Sequence, residues 1–188
     1  MSIKLTQEEK DLIKKNKQFI IDGDWDGFFQ KIEITEISNI FQFCLECVPD
    51  LLYKITKIPD QAFYGSDIKS ITIPSNIKEI GERAFESCTS LKSISIPNSV
   101  REIGWRAFCD CYNLTHINIP DSVTEIGDCA FFDCTSLKSI TISDSVTEIG
   151  RTIFYKCYNL KRISIPKHLD GKTFLVGIPK DCEIEVRS

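Results

Sequence analysis

A phenylalanine recurs along most of the chain at an almost constant interval. The successive intervals are 22, 23, 23 and 23 residues, between Phe63, Phe85, Phe108, Phe131 and Phe154. The surrounding residues recur as well, and the shared pattern is A-F-x-x-C-x-x-L-x-x-I-x-I-P-x-x-V-x-E-I-G. A fixed period of this length is typical of a solenoid, in which each unit can bury its apolar side only against its neighbours.

The repeated residue types predict the conformation of each unit. The L-x-x-I-x-I stretch alternates with period two, as a short strand with one buried face does. The proline that follows cannot donate a ladder hydrogen bond, so it ends the strand. We expect the glycine to supply a backbone conformation that other residues resist, and the Ala-Phe pair to enter a tight turn with the phenylalanine inside. The prediction is a solenoid of short parallel β-strands stacked in a right-handed coil.

The pattern divides the chain into three segments. Residues 1–50 lack the repeat and are predicted to form a small helical N-terminal cap, because residues 6–21 have amphipathic helical spacing. Residues 51–170 are predicted to be the solenoid, with about five repeats. Residues 171–188 are predicted to form a C-terminal cap, with strand-like alternation over residues 183–187. Because caps cover the apolar core that would be exposed at the ends of a solenoid, they favour a monomer over end-to-end stacking.

These repeats resemble the BspA-type leucine-rich repeat, a bacterial and protist variant of the leucine-rich repeat family. The resemblance covers roughly residues 55–166 and implies a leucine-rich-repeat-like solenoid. Relatives of this type are often surface proteins that bind host proteins or neighbouring cells. This chain departs from them because its first residues, Met1 to Lys17, lack the apolar stretch and cleavage site of an export signal.

The composition and net charge argue against several classes of function. The net charge of -4 argues against nucleic acid as the partner, because phosphate binding needs a concentrated basic surface. The sequence contains no run of 18 apolar residues, so it does not predict a membrane span. If the chain is complete, we expect a cytoplasmic location; if an export signal has been removed, we expect a secreted or cell-surface protein. No catalytic constellation is evident, so an enzyme is not predicted.

The cysteines form a column of their own within the repeats. Of the 9 cysteines, four occupy the same repeat position: Cys88, Cys111, Cys134 and Cys157. A metal site or disulfides are one interpretation, but free cysteine also suits a ladder of small buried side chains, and the odd total favours free thiols. The Cys44-x-x-Cys47 pair lacks a second pair at zinc spacing, so it does not by itself predict a zinc site.

A protein-protein interaction module is the predicted function. Strand residues that alternate with the core line one exposed side, and the aromatic residues that break the repeat are of types enriched at interface hot spots. The alternative is that the exposed residues that repeat along this side are only solvated surface. The predicted partner-binding residues are Lys69, Lys92, Trp105, Tyr112, His116, Lys138, Tyr158 and Arg162; the partner is a protein of unknown identity.

A loop in the N-terminal segment suggests a calcium-binding variant of this function. Asp22, Asp24, Asp26 and Glu33 occupy positions one, three, five and twelve of an EF-hand-like loop, and Gly27 occupies position six. The alternative is a corner between two helices in which the aspartates act as caps. No second such loop occurs in the sequence, and no other cofactor is predicted.

Overall fold

The computed structural model describes residues 7–8, 11, 55–171 and 173–188. Gln7, Glu8 and Asp11 have α-helical backbone, and Gln7 Nε2 donates to Asp11 Oδ1 at 3.0 Å. The rest of the predicted N-terminal cap lies outside the described residues. Within the described part of the chain, no helix has the length and apolarity needed to cross a bilayer.

The described residues contain ten short strands, all paired in parallel. Two 3₁₀ turns, Lys167–Leu169 and Thr173–Leu175, precede the last strand. In chain order the strands are β1 (Lys57–Ile58), β2 (Glu79–Ile80), β3 (Ser93–Ser95), β4 (Glu102–Ile103), β5 (His116–Asn118), β6 (Glu125–Ile126), β7 (Ser139–Thr141), β8 (Glu148–Ile149), β9 (Arg162–Pro166) and β10 (Glu183–Arg187).

The strands form two sides of the coil. The glutamate sheet has the order β1-β2-β4-β6-β8, and each of its strands pairs with the equivalent strand of the next repeat. The long-strand side contains the β3-β5 pair and the three-stranded β7-β9-β10 sheet. An isolated bridge from Thr72 to Ser95 extends it towards the first repeat. The predicted stack of short parallel strands is therefore confirmed.

The third side, here called the turn side, contains the segments around each phenylalanine, at 59–66, 81–88, 104–111, 127–134 and 150–157. Alternate N–H groups of one segment donate to carbonyls of the next. In the first junction Gln61 N donates to Glu82 O at 2.8 Å, and Phe63 N donates to Ala84 O at 2.7 Å. The turn side therefore hydrogen-bonds between repeats without forming regular β-strands.

Positive φ angles recur on the turn side, two residues before and two residues after each phenylalanine. Nine of these positions carry residues other than glycine: Gln61, Arg83, Ser87, Arg106, Asp110, Cys129, Asp133, Thr152 and Lys156, with φ between 52° and 63°. A residue with a Cβ atom disfavours this left-handed region by about 1–2 kcal/mol. The inter-repeat hydrogen bonds of the turn side offset that cost.

The core is a stack of equivalent side chains. Phe63, Phe85, Phe108, Phe131 and Phe154 are fully buried, and neighbouring rings stack with centroids 5.0, 5.2, 5.5 and 5.9 Å apart. Columns of isoleucine, leucine and valine surround them. The predicted interior position of the phenylalanine is confirmed.

The repeat glycine has a different role from the one that its sequence position predicts. Gly81, Gly104, Gly127 and Gly150 are not among the residues with positive φ. A Cβ atom at Gly127 would instead lie 2.6 Å from Trp105 N of the preceding repeat. Glycine is therefore required because adjacent repeats approach too closely for a side chain, and the expectation of an unusual backbone conformation was wrong.

The C-terminal segment continues the stack. The alternation over residues 183–187 predicted a strand, and β10 pairs with β9 along its whole length, from Glu183 opposite Arg162 to Arg187 opposite Pro166. The Arg187 guanidinium donates to Ser164 Oγ at 3.1 Å and pairs with Asp144 at 2.7 Å. These contacts connect β10 to two preceding repeats.

Candidate interaction surfaces

Trp105 is the largest side chain exposed on the turn side. Other repeats place Glu82, Asp128 and Arg151 at its position. The residue is 41% exposed, but its ring is not isolated, because the guanidinium carbons of Arg83 and Arg106 lie 5.8 and 5.7 Å from the ring centroid. Cation–π contacts of this kind are attractive and restrict the motion of the ring.

A buried carboxylate holds both arginines in place. Glu86 is 3% exposed, and its Oε2 accepts from Arg83 Nε at 2.6 Å. Its Oε1 accepts from Arg106 Nη2 at 2.8 Å and from Arg106 Nε at 3.2 Å. Burial by itself would raise the pKa of Glu86, but the hydrogen bonds and charges of the two guanidinium groups outweigh it and lower the pKa. Glu86 is therefore a carboxylate at neutral pH.

Further aromatic rings extend this arrangement along the turn side. Arg83 also lies over the Tyr64 ring at 5.2 Å, and Arg106 lies over Phe132 at 5.9 Å. Phe132 stacks on Tyr155 with centroids 5.4 Å apart. We call Tyr64, Arg83, Trp105, Arg106, Phe132 and Tyr155 the aromatic row. It crosses all five phenylalanine-centred turn segments.

The predicted strand residues lie on another side of the molecule. His116 is in β5 and Arg162 is in β9, both exposed, and Lys92 and Lys138 immediately precede β3 and β7. Lys69 is exposed at the equivalent position of the first repeat. These five residues therefore share the long-strand side, which does not include Trp105.

The two predicted tyrosines lie at the corner between these sides. Tyr112 and Tyr158 are 42% and 64% exposed, and each follows a buried cysteine at the end of a turn segment. The structure thus divides the predicted partner-binding residues into a turn-side tryptophan, two corner tyrosines and a cationic set on the long-strand side.

The glutamate sheet has the opposite charge. Its parallel register places Glu79 beside Glu102, Glu102 beside Glu125 and Glu125 beside Glu148. Partial burial, followed by repulsion from Glu79 and Glu125, raises the pKa of Glu102. Lys57 pairs with Glu79 at the beginning of the column, at 2.5 Å.

Comparison with known proteins identifies the repeat. A family model described as the BspA type leucine rich repeat region matches residues 56–174 in six copies. The chain belongs to this family. BspA-type repeats indicate a protein-interaction module in general terms, and the matched region ends at residue 174, past the last of the five aligned phenylalanines.

Solved structures of bacterial leucine-rich repeat proteins are similar to this BspA-type chain. The leucine-rich repeat protein TpLRR of T. pallidum is 31% identical over 71% of this chain and 66% of its own, with a TM-score of 0.59. The pneumococcal vaccine antigen PcpA is 25% identical over 71% and 34%, with a TM-score of 0.60. A protein from Bacteroides ovatus ATCC 8483, 24% identical over 72% and 46% with a TM-score of 0.52, supports the fold alone.

The BspA-type chain spans at most about two thirds of the length of these three solved relatives. None of the three is named for a catalytic activity. No curated protein has significant similarity to the chain.

The cysteine column of the BspA-type repeats is a hydrogen-bonded ladder. All four thiols are buried and free, and each donates to the phenylalanine carbonyl of the preceding repeat. Cys88 donates to Phe63 O at 2.9 Å, and Cys134 donates to Phe108 O at 3.1 Å. Burial raises the pKa of Cys88 to about 12 and that of Cys134 well above its ordinary value. The geometry corresponds to the ladder interpretation, with neutral thiols.

One group of potential metal ligands lies beside the aromatic row. Among the residues that the structure describes, Glu86, Cys109 and Asp110 have ligand atoms within 4.8 Å of one another. Glu86 already accepts from two arginines, and Arg106 also lies 3.7 Å from Asp110. Burial, followed by the charge of Asp110, raises the pKa of Cys109 to about 12, so its thiol stays protonated. This group does not fit a cation.

The predicted calcium loop at 22–33 lies outside the described residues, as does the Cys44-x-x-Cys47 pair. Neither prediction is tested by the structure.

Sequence reasoning missed the residues that position Trp105. Glu86, Arg83 and Arg106 were not selected because single charged residues in a repeat are usually solvated. A signal was present in the position after each phenylalanine, where Tyr64, Phe132 and Tyr155 are aromatic. Glu86 and Cys109 occupy this same position in the second and third repeats, and both are buried.

Proposed function

We propose that this chain is a protein-binding module and that Trp105 is the centre of its main contact surface. The observation that supports this proposal is the combination of exposure and fixed orientation. Trp105 is 41% exposed, while two arginines, both hydrogen-bonded to the buried Glu86, lie against its ring. Tryptophan, tyrosine and arginine dominate interface hot spots, and all three types occur in the aromatic row.

The fixed geometry also favours tight binding. A side chain that is already held in place loses little conformational freedom when a partner covers it, so less interaction energy is lost to ordering. Tyr64 and Tyr155, 47% and 39% exposed, lengthen the surface on either side of Trp105. The corner residues Tyr112 and Tyr158 are proposed to contact the same partner at its margin.

A comparison of three baits tests this function. Immobilised wild type, Trp105→Ala and Val176→Ala would each be incubated with lysate of the source organism, and captured proteins identified by mass spectrometry. Val176 is a matched control, because it is 53% exposed and lies outside the aromatic row. A protein captured by wild type and Val176→Ala but not by Trp105→Ala supports the proposal.

The captured protein would then be purified and its affinity measured by calorimetry. We expect Trp105→Ala to weaken binding by at least thirtyfold, which corresponds to about 2 kcal/mol, the range of a hot spot. Equal capture by all three baits would show that the aromatic row is not the contact surface. Thermal melts of the three proteins separate lost binding from lost folding.

A further inference from the structure

A column of lysines follows the solenoid axis at the edge of the long-strand side. Its members are exposed and occupy equivalent repeat positions: Lys69, Lys92, Lys138 and Lys161. Backbone hydrogen bonds connect neighbouring members, from Lys92 N to Lys69 O at 3.3 Å and from Lys161 N to Lys138 O at 2.8 Å. Neighbouring positions in such a stack are about 4.8 Å apart, so we call this set the lysine column.

Most of this positive charge has no partner within the described residues. No ion pair there involves Lys69, Lys92 or Lys138, whereas Lys161 Nζ lies 2.5 Å from Asp181 Oδ2. Like charges on adjacent strands repel one another. A chain with a net charge of -4 thus keeps unpaired ammonium groups on one side and a column of glutamates on another. This segregation gives the lysine column a local positive charge on an acidic molecule.

A groove interrupts the lysine column at its centre. Thr115 stands where the other repeats have lysine, and the smaller side chain leaves an open groove of about 590 Å³. Its lining residues are Thr115, Ser136, Lys138, Asn159 and Lys161, and none of them carries a carboxylate. Thr115 Oγ1 donates to Lys92 O, Asn159 Nδ2 donates to Thr135 O, and Lys161 pairs with Asp181. The Lys138 ammonium and the Ser136 hydroxyl are left to bind a carboxylate, and hydrogen bonds to charged acceptors are stronger than neutral ones.

We propose that the lysine column binds an extended acidic segment of a partner protein, with one carboxylate in the groove beside Thr115. From Lys69 to Lys161 the column spans four repeat intervals, about 19 Å at 4.8 Å each. An extended chain rises about 3.3 Å per residue, so a segment of about six residues matches the column. Every second residue of that segment would be acidic and would face the lysine column. These acidic residues would lie about 6.6 Å from one another. This site is additional to the turn-side surface centred on Trp105.

An acidic peptide suits this surface better than nucleic acid. The positive charge forms a single short column, and the glutamate sheet repels a longer polyanion that extends beyond it. A binding site for duplex DNA or RNA would need basic residues over a wider area.

Peptide titrations test the proposal. An eight-residue fluorescein-labelled peptide with glutamate at alternate positions would be titrated with the protein and followed by fluorescence anisotropy at low salt. The comparison peptide has glutamine at the same positions. We expect the glutamate peptide to bind at least tenfold more tightly, and binding to weaken as salt is added.

Matched charge reversals locate the site. Lys92→Glu/Lys138→Glu changes the net charge by the same amount as Lys78→Glu/Lys167→Glu, whose lysines are exposed outside the lysine column. The first pair should weaken binding of the glutamate peptide at least tenfold, and the control pair by less than twofold. Equal weakening by both pairs, or equal affinity for the glutamine peptide, would overturn the proposal.

Two further measurements test whether the lysine column binds something other than an acidic peptide. Tighter binding of an oligothymidine of equal charge would assign the column to nucleic acid instead. Self-association of the protein alone in sedimentation velocity, lost in Lys92→Glu/Lys138→Glu, would assign it to the glutamates of a second copy. Trp105→Ala should bind the glutamate peptide like wild type, so failure of either proposal leaves the other testable.

Discussion

The carboxylate of Glu86 lies 2.8 Å from the guanidinium of Arg106, which belongs to the next repeat of the solenoid. The same carboxylate lies 2.6 Å from Arg83 in its own repeat. One buried acid therefore connects two repeats and orients both cations that contact Trp105. Stability and surface geometry depend here on the same side chain.

Replacing Glu86 by glutamine should destabilise the protein by about 1–3 kcal/mol, the range for a lost charge-assisted hydrogen bond. The arginines are partly exposed, at 34% and 26% of their side chains, so water limits the loss. Urea denaturation measures the effect. Glu82→Gln is the control, because Glu82 is exposed on the same turn segment, and its change should stay within about 0.5 kcal/mol. Equal losses in the two variants would contradict the role of Glu86.

Lowering the pH should abolish the difference in the free energy of unfolding between wild type and Glu86→Gln. The pKa of Glu86 is lower in the folded protein than its ordinary value of 4.5, so the folded state binds its proton less readily than the unfolded chain. Its contribution is complete above pH 4.5 and disappears as the pH falls through the folded-state pKa. The free energy of unfolding of both proteins should be measured from pH 7 to pH 3. A gap that stays constant over this range would be inconsistent with a titrating Glu86.

Two glycines should respond differently to alanine. At Gly127 a Cβ atom would lie 2.6 Å from Trp105 N, so adjacent repeats would have to separate, at a cost of about 1–3 kcal/mol or more. Gly65 has open space around it but a φ of 66°, so alanine there adds only the left-handed penalty of about 1 kcal/mol. Thermal and urea unfolding should therefore rank Gly127→Ala as the less stable variant. The reverse order would refute the close-approach explanation.

The cysteine column should resist alkylation while the protein is folded. Burial raises the pKa of Cys88 and of Cys157 to about 12, so at pH 8 only about one thiol in ten thousand is ionised. Among the described cysteines, iodoacetamide labelling followed by peptide mass spectrometry should modify the partly exposed Cys129 and Cys182 first. All should react in urea. Rapid labelling of Cys111 or Cys134 in the native protein would mean that the ladder opens.

Calcium should raise the melting temperature if the loop at 22–33 binds it, because a ligand of the native state alone stabilises that state. At a hundredfold excess over the dissociation constant the gain is about 2.7 kcal/mol. Melts in calcium and in chelator would be compared for wild type and for Asp22→Ala/Asp24→Ala. Identical melting temperatures for wild type in the two conditions would leave the helical corner as the better interpretation.

Most of the fold could be predicted because equivalent residues contact one another. Phe85 stacks on Phe63 and Phe108, so a residue's environment is largely set by its own copies in adjacent repeats, which the sequence displays. The exposure of His116 likewise follows from its alternation with the buried Ile117 and Ile119.

The turn side could not be predicted in the same way. Arg83 and Arg106 have positive φ although arginine does not favour it, because hydrogen bonds from their N–H groups to the next repeat decide their conformation. Glu86 is buried where Arg83 and Arg106 converge on its carboxylate from two repeats. The left-handed conformation leaves no mark in the local sequence, and the burial of Glu86 is indicated only by the aromatic residues at its position in three other repeats.

The left-handed residues of the turn side also determine how the molecule should come apart. An isolated repeat would bear the conformational penalty of residues such as Arg106 and Asp110 with no neighbouring carbonyls to compensate for it. The smallest unit able to persist is therefore a group of adjacent repeats. Opening should begin at an end and advance repeat by repeat, so that amide hydrogens near Phe108 exchange with solvent last.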